Sequence, residues 1–329
     1  MHTPKIQVLD IILTLYLSAQ ILQPAYFPPL ASLLGFLLLL IIKFLFHGLN
    51  TRFAIFTYIQ LVLLANVHHK SFNTNKFSAY FLAHGSPMLA IEDNQYTSFL
   101  KTLGHEKPKA VIIFTGHWET KVTTISSVQG TYELIYDFYG FPKELYEVKY
   151  PAKGSVELAE KVKKVLDNNG IRSEFDEKRG LDHGSWALLS KIFPQADVPI
   201  VQISVSPDLS PKYQYELGKA LGDLDEDVMV IGSGVTVHNL RKIDWNAKTP
   251  TQWAVEFDDW LIDNINKKDH KAVLGYNVMA PHAKDAVPTT EHFVPLLIAM
   301  GSADQTKEPE VLYRAYDFGT LSYLCFRFA

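Results

Sequence analysis

Five histidines in this 329-residue chain sit where imidazole chemistry is easiest to arrange. His84 opens His84-Gly85-Ser86-Pro87, His117 lies in Gly116-His117-Trp118, and His183 lies in Leu181-Asp182-His183-Gly184. His238 follows Val237 and precedes Asn239, and His292 ends Thr290-Glu291-His292. A neutral imidazole is a metal ligand, and one that titrates near neutrality moves protons, so such a set suits a metal site, a general acid or base, or both. A lone histidine in a loop is most often a surface or hydrogen-bonded residue. Recurrence beside glycine changes that reading, because imidazole is an awkward core filler whose two nitrogens need partners. Gly184 permits close backbone approach, and Asp182 is expected to orient the His183 ring. His105, His270 and His282 lack such a frame and read as surface residues. With one cysteine, Cys325, a disulfide framework and a thiolate metal cluster are both excluded, so any metal is held by His, Asp or Glu.

The elements that must position these histidines are short apolar runs alternating with amphipathic helices from about Phe77 onward. That pattern predicts an α/β domain with a largely buried, parallel or mixed central sheet flanked by helices. Strands are expected over Ala79–Ala83, Ala110–Thr115, Pro199–Val205 and Val228–Ile231, and three of the four lead directly to a histidine. In open α/β sheets ligands collect outside the carboxyl ends of the strands, which makes those three positions the first candidates for a site. Helices are predicted over Ser155–Asn169, capped by Ser155 and stopped by Gly170, and over Trp186–Phe193, Lys212–Leu224 and Gln252–Asn266. A last helix is expected over His292–Met300, with Thr289 or Thr290 as its N-cap. The aromatic run from Tyr136 to Pro142 reads either as a packed turn or as the wall of a pocket for a flat ring.

Charge divides the chain. The total of 31 Lys+Arg against 35 Asp+Glu gives a formal charge of −4 and no basic block, which leaves no electrostatic footprint for nucleic acid. Residues 1–78 carry only Lys5, Asp10, Lys43, Arg52, Lys70 and Lys76. Three apolar runs, Val8–Leu22, Leu30–Phe46 and Phe53–Val67, fill that stretch, and a secretory signal peptide would have one. The reading is therefore a hydrophobic, helical, membrane-associated extension at 1–78, touching the bilayer through residues 8–67, followed by a catalytic domain at 79–329. With the extension the chain is expected at a membrane, with a transmembrane helix; without it, in the cytoplasm. No feature of the chain sets an oligomeric state.

Six segments in order carry a resemblance: HGSPMLAIEDNQYT from His84, GHW from Gly116, YDFYGFPKELYEVKYPAKGS from Tyr136, LDHGSWALL from Leu181, GSGVTVHNLR from Gly232 and PTTEHFVPLL from Pro288. From about Phe77 to the C-terminus the chain resembles the extradiol ring-cleavage dioxygenases of the LigB superfamily, in the DOPA 4,5-dioxygenase branch. The resemblance implies a single divalent metal, chelation of an ortho-dihydroxybenzene, and O₂ insertion beside the diol, opening the ring to a muconic semialdehyde-type product. It implies His84, His117, His238 and His292 as metal ligands and His183 as the acid/base. In protocatechuate-type relatives the third ligand is a carboxylate, so Glu291 could take that place with His238 moving the proton. Tyr136, Asp137 and Tyr146 are expected to meet the substrate. Turnover predicts Fe(II), since zinc has no redox change to offer O₂, although Zn(II) is the bound species described for bacterial members of the branch. Two other classes stay open: a non-enzymatic metal-binding protein on the same fold, and a zinc hydrolase using metal-bound water.

Overall fold

The structure, a computed structural model, describes residues 78–224 and 227–328. Eight strands form one mixed sheet: β1 Ser78–Ala83, β2 Ala110–Glu119, β3 Thr123–Ser126, β4 Ser173–Asp176, β5 Ile200–Val205, β6 Val228–Gly234, β7 Glu310–Tyr313 and β8 Cys325–Phe328. Their order is β4-β3-β5-β2-β6-β1-β8-β7. The centre, β5-β2-β6-β1, is parallel, whereas β8 runs antiparallel to both β1 and β7. The expected α/β class with a largely parallel or mixed sheet is what the domain adopts.

Helices cover both faces, and this is why the central strands are apolar runs rather than alternating ones. β5 and β6 are buried at every position. On β2, Val111 and Ile113 point to one face, where Trp186, Leu188 and Leu189 of the helix α3 (His183–Ile192) cover them together with Leu100 of α1 (Gln95–Leu103). Ala110, Ile112 and Phe114 point to the other face, against Leu158, Val162 and Leu166 of α2 (Val156–Asn168), Leu217 and Leu221 of α4 (Pro211–Leu221) and Ile298 of α6 (Val294–Ser302). A third apolar cluster joins Phe81 and Phe326 to Phe257 and Leu261 of α5 (Gln252–Asn266). Burying side chains of this size contributes about 1.5–3 kcal/mol each, so the sheet and its two covers specify one register.

Several local expectations hold for identifiable reasons. Ser155 caps α2 by accepting from the Leu158 N–H, and Gly170 takes the left-handed conformation just past the helix end. Three others are corrected. β2 continues four residues beyond Thr115, through a register shift between Phe114 and Glu119, so His117 belongs to the irregular end of a strand. α3 begins at His183 rather than Trp186, which places that histidine in the first helical turn. α6 begins at Val294, and neither Thr289 nor Thr290 caps it. Thr289 donates to Glu291 and Thr290 to the Pro207 carbonyl, so both hydroxyls are committed elsewhere.

The membrane reading is corrected as well. Among the described residues no helix is long and apolar enough to cross a membrane. The apolar runs within 8–67 on which a transmembrane helix was expected lie outside the described residues.

Candidate metal centre

The parallel strands bring the histidines together at their carboxyl ends. His84 follows β1, His117 ends β2, His238 lies in the loop after β6, and His183 is the first residue of α3. His292 precedes α6 and is drawn in by a backbone bond from the Val235 N–H to its carbonyl, 2.9 Å. That approach depends on Gly234, because a Cβ there would stand 2.2 Å from the same carbonyl oxygen. Gly85, in the left-handed region with φ +59°, turns the chain immediately after His84 and leaves room for the Tyr323 hydroxyl.

Three of the rings form a nearly equilateral triangle. Centroids of His84 and His117 are 5.0 Å apart, His84 and His292 5.2 Å, and His117 and His292 5.0 Å, with interplanar angles of 63°, 49° and 88°. Rings so tilted can aim at a common point. His183 packs beside His117 at 4.1 Å, and His238 lies flat on His292 at 3.8 Å with 15° between the planes. His238 and His292 thus form a stacked pair whose in-plane lone pairs lie in nearly parallel planes. By ligand-type atoms, His84, His117 and His183 lie within 4.8 Å of one another, as do His238, Glu291 and His292.

The hydrogen-bond network assigns the tautomers. Ser233 donates its hydroxyl proton to the Gly184 carbonyl at 2.6 Å, so its oxygen accepts from His84 Nδ1 at 3.0 Å. His117 Nδ1 faces Asp137 Oδ2 at 3.3 Å, and His183 Nδ1 donates to Asp137 Oδ1 at 2.9 Å. His292 Nδ1 donates to Glu291 Oε1 at 3.0 Å. For His84, His183 and His292 these partners place the proton on Nδ1, and the carboxylate facing His117 Nδ1 favours the same tautomer there, which leaves each Nε2 with a lone pair. Yet His84 Nε2 and His117 Nε2 stand 3.2 Å apart, lone pair against lone pair.

A buried acceptor without a donor costs about 1–3 kcal/mol, and His84 is 1% exposed. Two such acceptors facing one another are satisfied by a cation between them, and nitrogens about 2.0–2.1 Å from one ion stand roughly 3 Å apart. The donor set therefore fits one divalent metal. Its protonation state agrees. Burial, then the neighbouring imidazoles of His117, His292, His183 and His238, hold His84 well below the ordinary histidine range. Burial and the charges of His183 and His292 depress His117 to about 2, despite Asp137. Burial and His292 depress His238 to about 3 against the pull of Glu291. These rings stay neutral, as ligands must. Glu291 is the converse: burial pushes its carboxyl up, but hydrogen bonds from His292 and Thr289 outweigh it and bring the group down to about 2.

The acidic residues are placed differently from expectation. Asp182 does not touch the His183 ring. Its carboxylate, fully buried, takes Thr115 Oγ1 at 3.0 Å, Gln202 Nε2 at 2.5 Å and Arg179 Nη2 at 3.2 Å. Thr115 in turn receives the His117 N–H at 3.0 Å, and Arg179 reaches the His117 carbonyl at 3.1 Å while lying over the Trp118 ring. Asp182 therefore anchors the end of β2 to α3. Burial and the Asp137 charge push its carboxyl up, with Arg179, Gln202 and Thr115 opposing. It is Asp137, expected at the substrate, that meets the imidazoles.

Tyr136 and Tyr146 both commit their hydroxyls to backbone carbonyls, of Val148 and Phe138 respectively. The aromatic side chain brought to the histidines is Phe138, whose ring stands 5.8 Å from His183 and packs on Trp186, Tyr146 and Phe141. Phe138 belongs to the aromatic run read as a possible pocket wall, whereas sequence reasoning missed Ser233, Gln202 and Arg179. Gln202 alone left a signal, as the one long polar side chain inside an apolar strand. A cavity of about 160 Å³ lies between Pro207, Tyr276, Lys284, Thr290 and Leu297, and none of the five histidines lines it.

Comparison with known proteins follows the same geometry. A family described as the catalytic LigB subunit of aromatic ring-opening dioxygenase matches residues 78–326. The chain is 38% identical over 256 residues to a 4,5-DOPA dioxygenase extradiol of Beta vulgaris, covering 76% of this chain and 95% of that protein. It is 34% identical over 268 residues to the Escherichia coli protein of the same description, covering 77% and 94%. The crystal structure of the uncharacterized protein JW3007 from Escherichia coli K12 superposes with a TM-score of 0.67 at 31% identity, covering 77% of this chain and all of that one. The chain belongs to the LigB family and is, by reaction class, an aromatic ring-opening dioxygenase.

Proposed function

We propose that residues 79–329 form an extradiol dioxygenase domain that opens a catechol-type, DOPA-like ring with O₂, giving a muconic semialdehyde-type product. The observation that carries this reading is the approach of the His84 and His117 Nε2 atoms to 3.2 Å, with Ser233 and Asp137 beside their Nδ1 atoms. His84, His117 and His292 hold the metal, with His238 as the further member of the set, stacked against His292. The metal is Fe(II), which when bound supplies the electron that O₂ needs and a common anchor for the two catechol oxygens; Zn(II) occupies the same donors without that redox step.

The remaining work falls to side chains of this chain. His183, with Nδ1 tied to Asp137, presents Nε2 as the base that takes a catechol proton and later returns it. Phe138 walls that side and limits water at the ring being opened. Glu291, bonded to His292 and Thr289, orients the His292 ring. The DOPA-like substrate is supported by plant and bacterial relatives described as 4,5-DOPA dioxygenases, and a flat diol suits the aromatic wall.

The test is anaerobic Fe(II) loading followed by an oxygen-electrode screen over substituted catechols, with absorbance read in the visible. Oxygen uptake and a yellow product are expected with Fe(II) and not with Zn(II). Zinc-supported turnover without oxygen uptake would move the reading to hydrolysis, and binding of metal with no turnover of any diol would make it a metal-binding module. In His238→Ala, near-total metal loss marks a ligand, whereas retained metal with dead turnover marks a base.

A further inference from the structure

We infer that Asp137 is a positioning residue that fixes two imidazoles at once, His117 and His183; the roles of those two, ligand and proton carrier, rest on the reading above. Its two oxygens are divided between them. Oδ1 accepts from His183 Nδ1 at 2.9 Å and also from the His183 backbone N–H at 3.1 Å, and Oδ2 stands 3.3 Å from His117 Nδ1.

The second bond to Oδ1 has a structural meaning. Asp182 occupies the N-cap position of α3 but makes no side-chain cap bond, being engaged by Thr115, Gln202 and Arg179. The first N–H of α3 is instead satisfied by Asp137, 46 residues earlier in the chain. A carboxylate at a helix N-terminus is favoured by the exposed N–H groups and the helix dipole.

The segment that carries Asp137 is clamped in place on the same helix. Leu134 pairs with Leu181 as a parallel bridge, the Ile135 N–H reaches the Leu181 carbonyl at 2.8 Å, and the Trp186 indole N–H reaches the Ile135 carbonyl at 3.0 Å. Asp137 is thus held by the helix it caps, and through it one rigid unit sets the azimuth of a ring on β2 and a ring on α3.

With Oδ1 bonded to His183 and Oδ2 facing His117 Nδ1 at 3.3 Å, the residue type matters. An amide has one oxygen and one NH₂, so in Asp137→Asn either His117 or His183 meets a donor where it needs an acceptor, whichever way the amide turns. That ring must then give up its Nδ1 proton and lose the Nε2 lone pair.

The experiment compares the full wild-type chain with Asp137→Asn and Asp137→Ala. Zn(II) affinity is measured by competition with a chromophoric chelator, the visible spectrum is recorded after Co(II) loading, and kcat and KM are taken from oxygen uptake by the Fe(II)-loaded protein. Circular dichroism checks the fold, and the near-isosteric Asp137→Asn decides if the alanine variant does not fold. In the variants Zn(II) affinity is expected to fall about 10–100-fold, as it does when a group bonded to a ligand is removed. The Co(II) spectrum is expected to shift, and kcat to fall about 10²-fold or more with KM changed far less. Wild-type Zn(II) affinity and an unmoved Co(II) spectrum in Asp137→Asn would overturn the inference. If the wild type consumes no oxygen with any catechol, the dioxygenase reading fails while the zinc and cobalt measurements still decide the hold of Asp137 on His117.

Discussion

Two buried polar clusters lie beside the ends of the central strands, and they are built on opposite rules. Around Asp258 of α5, every neighbour gives what the carboxylate takes: Thr236 donates to Oδ1 at 2.7 Å, and Ser322 and Tyr316 donate to Oδ2 at 2.6 and 2.8 Å. Around His84, like faces like, with an Nε2 lone pair of His117 at 3.2 Å. The Asp258 cluster is closed and ties the chain just before His238 to the C-terminal strands. The histidine cluster is complete only with a cation. Buried polar groups are satisfied in stable proteins, so a set that cannot satisfy itself marks the place where something binds.

The largest contrast is expected from removing one centre of each. His84→Ala should abolish bound metal and oxygen uptake while leaving thermal stability near that of the metal-free wild type, by metal analysis and calorimetry. Asp258→Ala should do the reverse. It strands two buried donors, Thr236 and Ser322, and the half-buried Tyr316, so a loss of about 3–5 kcal/mol is expected in urea unfolding, with metal stoichiometry retained in the folded fraction. If Asp258→Ala lost metal without losing stability, the two clusters would not be separable.

A smaller effect tests the support of His84. Ser233→Ala removes the acceptor for His84 Nδ1 and the donor to Gly184, so Zn(II) affinity should fall about 10–100-fold, with about 1 kcal/mol lost in stability. An unchanged dissociation constant would show that Ser233 does not orient the ring.

The smallest effect is a pH dependence. Burial pushes the Asp258 carboxyl up, against the donors Ser322, Thr236 and Tyr316 and the Arg314 charge. The folded chain therefore holds this proton to higher pH than the unfolded one, and the contribution of Asp258 to stability falls as pH rises from about 4. Asp258→Asn, which cannot ionise, should gain on the wild type over that range and lose the advantage in more acid solution. Parallel stability curves across pH 4–7 would contradict this assignment.

Much of the frame was legible because it depends on local pattern. Apolar runs with buried strands, the Ser155 cap and the Gly170 stop were readable, since each is decided within a few residues. The placement of His84, His117 and His238 at strand ends was readable too. The start of α3 was not, because the acceptor for the His183 N–H comes from Asp137 rather than from the neighbouring Asp182. Asp137 was expected at the substrate for the same reason: no spacing rule indicates that a residue 46 positions away shares its carboxylate with two rings. The partners of the Tyr136 and Tyr146 hydroxyls, the carbonyls of Val148 and Phe138, were not readable either.

The amino-acid sequence by itself determined the class of sheet, the strands that end on histidine, and that one cysteine cannot build a thiolate metal cluster, because periodicity and composition act over short stretches of chain. Tertiary structure alone decided how the five rings are arranged about one another, which carboxylates face them, and that the Nε2 atoms of His84 and His117 meet at 3.2 Å. Those are differences of an ångström or two between residues tens to hundreds of positions apart, and only the packing of β1, β2, β6 and α3 on one another sets distances so fine.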